Sequence, residues 1–305
     1  EPTDDGYVTV FPCDQPVPNT SNLNFVKGQT VANLVVAAVA TTTRDVCFQP
    51  SVTTHLVIDY SGAYRFGASS GGFVPNEPRR LIDTRLTGNG ALVPAGQEVA
   101  MNLPTPTALS NLATAVAVNV TATGASGDGY LSVYPCGSTR PSVSTVNYTA
   151  GQTVSNAAIV SAGSLRLCVY TYAPAHIVVD LAGTYNADGG SPFQALTPTR
   201  LLDTRTGLGG PLGNVAADST IELTVTNSPA VTAVVLNLTA VNPLNDGYVV
   251  AYPCGTPRPQ ASSLNFVAGE VRPNLVTVKV GSGGRVCLYS YAETGLVADL
   301  QGAYA

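Results

Sequence analysis

In AVVLNLTAV, Val234, Leu236, Leu238 and Ala240 alternate with Val235, Asn237 and Thr239, and in AVAVNVTAT, Val116, Val118 and Val120 alternate with Asn119 and Thr121. A period of two puts the first set on one face of an extended strand and the second set on the other. The same reading predicts strands in GYVVAYPC, SSLNFV, NLVTVKV, RVCLYSY and GLVADLQGAY, separated by Gly, Pro, Asn and Ser turns. Short strands with turns about every 8–12 residues predict an all-β chain of tandem Greek-key, immunoglobulin-like β-sandwiches.

The pattern repeats. DGYVTVFPCDQPVPNTSNLNFVKGQTVANLVV begins at Asp5, and near copies begin at Asp128 and Asp246. The copies close with HLVIDYSGAY, HIVVDLAGTY and GLVADLQGAY. Copies two and three carry a preface, RLIDTR or RLLDTR followed by a Gly/Pro-rich stretch and then TAVAVNVTAT or TAVVLNLTAV, which gives a period of about 120 residues. The first copy lacks that preface, since EPTDDGY aligns with NPLNDGY and residue 1 enters in mid-repeat. The chain thus holds three back halves and two front halves. The missing strands are expected upstream or from another chain, because the C-terminal copy has no front half to spare. The expected organisation is a partial sandwich at 1–65, a linker at 66–79, a sandwich at 80–186, a linker at 187–199 and a sandwich at 200–305, strung as a semi-rigid rod.

Cysteine usage sets the compartment. Cys13 and Cys47, Cys136 and Cys168, and Cys254 and Cys287 stand at a near-constant spacing, which predicts one disulfide per repeat. Zinc sites bring cysteines two to four residues apart, and no such pair is present. Three disulfides imply an oxidising environment, outside the cell or at its surface. Charged residues are only 11% of the chain and the net charge is −5, so there is no basic stripe for nucleic acid or for an anionic membrane. No apolar run reaches the length of a membrane span, so no membrane insertion is expected. Glu1 opens no signal peptide, which suits a chain whose leader has been removed or that starts inside a longer precursor.

Against this background the charged motif invites a chemical reading. Arg80, Asp83 and Arg85, with Arg200, Asp203 and Arg205, would either grip an anionic or sugar ligand or form a structural clasp. The clasp is the better reading. It places the Asp as acceptor of backbone N–H and Arg bonds at a domain entrance, with Leu81 and Ile82, or Leu201 and Leu202, anchoring the strand. His55 and His176 stand four residues before Asp59 and Asp180 and resemble acid–base pairs, but the third copy keeps Asp299 and replaces the His by Gly295. These five residues are candidate ligand groups only on a rival reading; as structural groups they are surface histidines and strand-end carboxylates. Asn24, Asn147 and Asn265, and Asn33, Asn156 and Asn274, recur and are read as turn staples rather than Ca²⁺ ligands, since no Asp-rich loop accompanies them. Asn19, Asn119, Asn147 and Asn237 lie in glycosylation sequons. Tyr7, Tyr130 and Tyr248, and Tyr64, Tyr185 and Tyr304, sit at fixed repeat positions and are read as core or sheet-edge packing. No nucleophile elbow, zinc-protease helix or P-loop occurs, so neither catalysis nor a metal or cofactor is expected.

The combination RLLDTR, VNVTA or LNLTA, GYxxxYPCG, SxLNF, VCxY and HxVVDxxGxY resembles a repeat of large secreted and surface proteins of actinobacteria and related filamentous bacteria. The resemblance covers essentially the whole chain and implies spacer or display modules with no agreed activity. The missing first front half and the His-to-Gly change in copy three depart from it. A non-enzymatic extracellular structural protein is therefore expected: a self-associating fibre, sheath, surface-layer component or adhesin stalk. The alternative is a carbohydrate-binding module whose weak repeated sites meet glycans and add in avidity.

Overall fold

The computed structural model describes residues 1–64, 71–103, 113–163 and 165–305. The first repeat contributes β1 (Gly6–Pro12), β2 (Leu23–Phe25) and β3 (Val46–Pro50). The second is built of β4 (Gly72–Asp83), β5 (Glu98–Asn102), β6 (Ala113–Thr123), β7 (Gly129–Pro135), β8 (Val146–Tyr148), β9 (Val154–Ser161), β10 (Arg166–Thr171) and β11 (His176–Asn186). The third repeats the pattern as β12 (Phe193–Asp203), β13 (Ser219–Thr224), β14 (Ala233–Val241), β15 (Gly247–Pro253), β16 (Leu264–Phe266), β17 (Val271–Lys279), β18 (Arg285–Ser290) and β19 (Gly295–Tyr304). No helix among the described residues is long and apolar enough to cross a membrane.

Each complete repeat is a sandwich of two four-stranded antiparallel sheets. In the second repeat the orders are β4-β11-β6-β9 and β5-β10-β7-β8, and in the third β12-β19-β14-β17 and β13-β18-β15-β16. With the strands of a repeat counted one to eight, the orders are 1-8-3-6 and 2-7-4-5, the jelly-roll arrangement of two Greek keys. The first repeat keeps only the counterpart of 5-4-7, as β2-β1-β3. Its residues 31–40 and 53–64, which align with the sixth and eighth strands, form no strand. The third strand, which pairs with both in the complete repeats, is missing there, and so are their ladder partners.

The stretches expected as linkers are largely strand, which corrects that expectation. From Gly72 and from Phe193 onward they belong to β4 and β12, while residues 66–70 lie outside the described residues. Both are edge strands, where Pro75, Pro78 and Pro198 cost no ladder bond on the open side. Register shifts beside them take up the extra residues. Gly/Pro punctuation reads the same in sequence whether it marks a linker or a bulged edge.

Val234, Leu236, Leu238 and Ala240 line one sandwich core and Val116, Val118 and Val120 the other, as their period demands. The opposite face is not left to water: every residue of β14 is buried. Ala233 and Val235 join Ala117, Phe73, Leu275 and Tyr304 in a third apolar cluster, to which the first repeat adds Leu34 and Val36. At its edge the hydroxyls of Tyr64, Tyr185 and Tyr304, one from each repeat, are 2.5, 2.9 and 2.6 Å apart in a closed ring. The three repeats therefore meet around a common centre. The expected rod is not formed, because the second face of the third strand carries Ala233, Val235 and Ala117 and is buried against a neighbouring repeat, where Asn119 and Asn237 find their hydrogen-bond partners.

Candidate functional site

The charged motif closes each sandwich on itself. Arg80 donates through Nε to Asp180 at 2.6 Å and through Nη1 to Asp83 at 2.7 Å. Arg85 donates through Nε and Nη2 to Asp83 at 2.9 and 2.6 Å, and its backbone N–H donates to the same carboxylate at 3.1 Å. The third repeat reproduces this set with Arg200 on Asp299 at 2.8 Å and on Asp203 at 3.3 Å, and Arg205 on Asp203 at 2.7 Å. The Thr84 and Thr204 hydroxyls accept the backbone N–H groups of Ile177 and Leu296. The Arg80–Asp180 and Arg200–Asp299 pairs and the threonine bonds join the motif to the eighth strand of the same sandwich, and the remaining bonds lie within the motif, so it closes its own sandwich.

Charge and burial split the four carboxylates. The hydrogen bonds from Arg85 and Arg205 hold Asp83 and Asp203 below the ordinary carboxylate value. Burial pushes Asp180 and Asp299 up, against the pull of Arg80 and Arg200. All four carboxylates are engaged by arginine. His176 lies 3.4 Å from the Thr84 hydroxyl, too long for a firm hydrogen bond. The histidine–aspartate spacing thus assembles no acid–base pair: Asp180 is held by Arg80 and by the Ser262 backbone N–H.

The recurring asparagines join the repeats. The Leu34 N–H donates to Asn156 Oδ1, that of Ala157 to Asn274 Oδ1 and that of Leu275 to Asn33 Oδ1, so one bond runs from each repeat to the next around a closed cycle. Two further links use the asparagines of the third strands. Asn274 Nδ2 donates to Asn119 Oδ1 at 2.9 Å, and Asn33 Nδ2 to Asn237 Oδ1 at 3.1 Å. Asn119 and Asn237 in turn donate to the Ser262 and Ser21 carbonyls of the next repeat. Two sequon asparagines are therefore engaged at the junction. Asn24 and Asn265 do staple a turn, each accepting from the serine three residues before it. Recurrence marked Asn33, Asn156 and Asn274 in the sequence, but a turn role hid their part between repeats.

The cycle has one gap. Among the described residues, Asn156 Nδ2 bonds only the Thr145 carbonyl, within its own repeat. Its partner would stand on a third strand of the first repeat, and the serine carbonyl awaiting that strand is Ser144, the counterpart of Ser21 and Ser262. Around this gap the first repeat is open. Val57 is 89% exposed, Ile58 60% and Tyr60 81%, whereas Val179 and Leu181, the counterparts of Ile58 and Tyr60, are 0% and 1% exposed. Asp59, the counterpart of Asp180, is exposed and faces no RLxDTR arginine, and His55 beside it is exposed as well.

The other sheet carries the disulfides and an aromatic face. Cys13–Cys47, Cys136–Cys168 and Cys254–Cys287 each join the fourth strand to the seventh, on the side away from the core. Beside them Tyr130 stacks on Tyr172 and Tyr248 on Tyr291, with ring centroids 5.3 and 5.0 Å apart. Arg140 covers Tyr170 and Arg258 covers Tyr289. Tyr130 and Tyr248 were expected in the core or at a sheet edge; they stand on this outer face. Tyr134 donates to Glu98, and burial pushes its phenol up to about 12. Glu222 approaches the Cys254–Cys287 bridge, but a disulfide offers no thiolate to a metal. A cavity of about 40 Å³ where the three repeats meet, lined by Leu34, Asn119, Asp180 and Ser262 among others, has room for ordered water only.

No family model matches the chain. No curated protein matches it either. Among solved structures it is similar to the N-terminal CBM22-1–CBM22-2 tandem domain of Paenibacillus barcinonensis Xyn10C, at 9% identity and a TM-score of 0.21, over 77% of this chain and 100% of that one. Likeness at that level supports no conclusion about the fold or ligand of this chain.

Proposed function

We propose that the chain is a non-enzymatic structural module of an extracellular assembly, such as a fibre, sheath, surface layer or adhesin stalk, joined through the exposed face of its first repeat. The observation that carries this reading is apolar surface on that face: Ile58 and Tyr60 are exposed where Val179 and Leu181 are sealed in a core. A sheet with unpaired edges and exposed apolar side chains is a template for another polypeptide. Three disulfides support an oxidising location, and the charged groups that resembled a site are consumed in clasps. Electron microscopy of the purified protein tests the reading. Ordered fibres or sheets are expected, and Ile58→Lys, at a position exposed in the free chain, is expected to abolish them. Uniform single particles at high concentration, unchanged by Ile58→Lys, would contradict it.

A second reading is favoured by the stacked tyrosines. Tyr172 and Tyr291 are 57% and 49% exposed, at equivalent positions of two repeats, and flat rings of this kind offer a platform to sugar faces. Position 51 is serine in the first repeat, so this reading gives two sites rather than three. It predicts glycan retention that is lost in Tyr172→Ala with Tyr291→Ala; no retention by the parent chain sinks it.

A further inference from the structure

Residues 1–64 hold no counterpart of the first and third strands, and the complete repeats record what those strands touch. In the complete repeats the first strand lays Phe73 over Gly183 and Phe193 over Gly302, where a Cβ would fall 2.3 and 2.4 Å from the ring. Gly62, the third member of that series, has nothing among the described residues within 4 Å of the same point. The first strand also brings Arg80 onto Asp180 and Arg200 onto Asp299, while Asp59 has no such partner among the described residues. The third strand brings Asn119 onto Asn274 and the Ser262 carbonyl, and Asn237 onto Asn33 and the Ser21 carbonyl. In the cycle of three repeats the remaining positions are Asn156 and the Ser144 carbonyl. Gly62, Asp59, Asn156 and Ser144 are thus four positions whose partners are known residue by residue from the two complete repeats, and Ile58 beside them is exposed.

We infer that the open first repeat is a receptor for a third repeat front half: a polypeptide segment with Phe seven positions before Arg-Leu-x-Asp-Thr-Arg, then an edge strand, then a Val/Leu-alternating strand with Asn at its centre. The Phe covers Gly62, the first Arg pairs with Asp59, and the Asn bonds Asn156 and the Ser144 carbonyl. Neither front half of a second copy is available to fill it, because both are buried in their own sandwiches. The occupant is therefore a segment of the same chemistry, either ahead of Glu1 in a longer polypeptide or on another one. This inference rests on the assembly reading and names the partner at the same surface.

The full chain titrated with a synthetic polypeptide of the sequence 193–241 tests it, with affinity measured by calorimetry and the contact located by hydrogen exchange. Saturable 1:1 binding is expected, with new protection of residues 31–40 and 55–64. Asn237→Ala in the donor and Asp59→Ala in the chain should each weaken binding by about tenfold or more. Arg200→Ala in the donor should cost much less against the Asp59→Ala chain than against the parent, as for a direct pair. To guard against a donor that aggregates alone, the same segment is also fused ahead of Glu1, where it should raise the unfolding midpoint and protect the same residues. No binding and no protection in either format would overturn the inference, and so would binding indifferent to Asp59 and Asn237. If ordered assemblies form while the donor neither binds nor blocks them, the receptor inference falls and the assembly reading stands. If neither occurs, both fall.

Discussion

At the scale of single residues, the side chains that look reactive are those most fully committed to structure. Asn274 is 0% exposed, and its amide accepts from Ala157 and donates to Asn119 and to the Ser263 carbonyl. Asn274→Ala leaves the Ala157 N–H and the carbonyl oxygens without partners, so a loss of about 1–3 kcal/mol in chemical denaturation is expected. Asn274→Asp should cost more, since a carboxylate would face two oxygens that now accept. The clasp carboxylates give a pH signature. Asp83 and Asp203 lie below their ordinary value of 3.8, so the stability they contribute is present above it and is lost as pH falls through the lowered value. Asp180 and Asp299 lie above 3.8, so theirs is present below it and is lost as pH rises through the raised value. Asp83→Asn with Asp203→Asn should lower the thermal midpoint at neutral pH but show a smaller fall than the parent between about pH 5 and pH 2. An acid limb as steep as that of the parent would show that other groups set it.

At the scale of elements, most of the architecture was legible in the sequence, and the physical reasons are visible in particular strands. The alternation in AVVLNLTAV places Val234, Leu236 and Leu238 in the core because side chains of a strand alternate by geometry. The near-constant cysteine spacing reflects a fixed path from the fourth strand to the seventh in every repeat. What the pattern did not carry was the other face. Val235 and Asn237 obey the same alternation whether they meet water or a neighbouring repeat, and only the buried β14 distinguishes the two. The edge strands β4 and β12 were hidden for a related reason, since proline at an open edge resembles proline in a linker. Each disulfide closes a loop of about 33 residues, worth about 3–4 kcal/mol. Replacing Cys254 and Cys287 together by Ala should lower stability by about that amount, and a larger loss is expected for the Cys13/Cys47 pair as a fraction of what holds the small first repeat, whose core is Val8, Val10 and Phe25 with partly buried neighbours. Hydrogen exchange resolved by repeat reads both.

At the scale of the whole molecule, the three back halves and two front halves of residues 1–305 make a ring whose first member exposes one face. Backbone-to-asparagine bonds close the cycle through all three repeats, and the tyrosine hydroxyls close it again at one end. The count of halves was plain in the sequence; the ring was not, because a period reports equivalence and not which copies touch. The central claim is that the first repeat is held in place yet left open. Hydrogen exchange on the free chain and on its assembled form measures that directly. Residues 55–64 should exchange much faster than their counterparts in β11 and β19 while the chain is free, and should become protected on assembly. Residues 55–64 as protected in the free chain as β11 and β19, or assemblies in which they stay unprotected, would contradict the account.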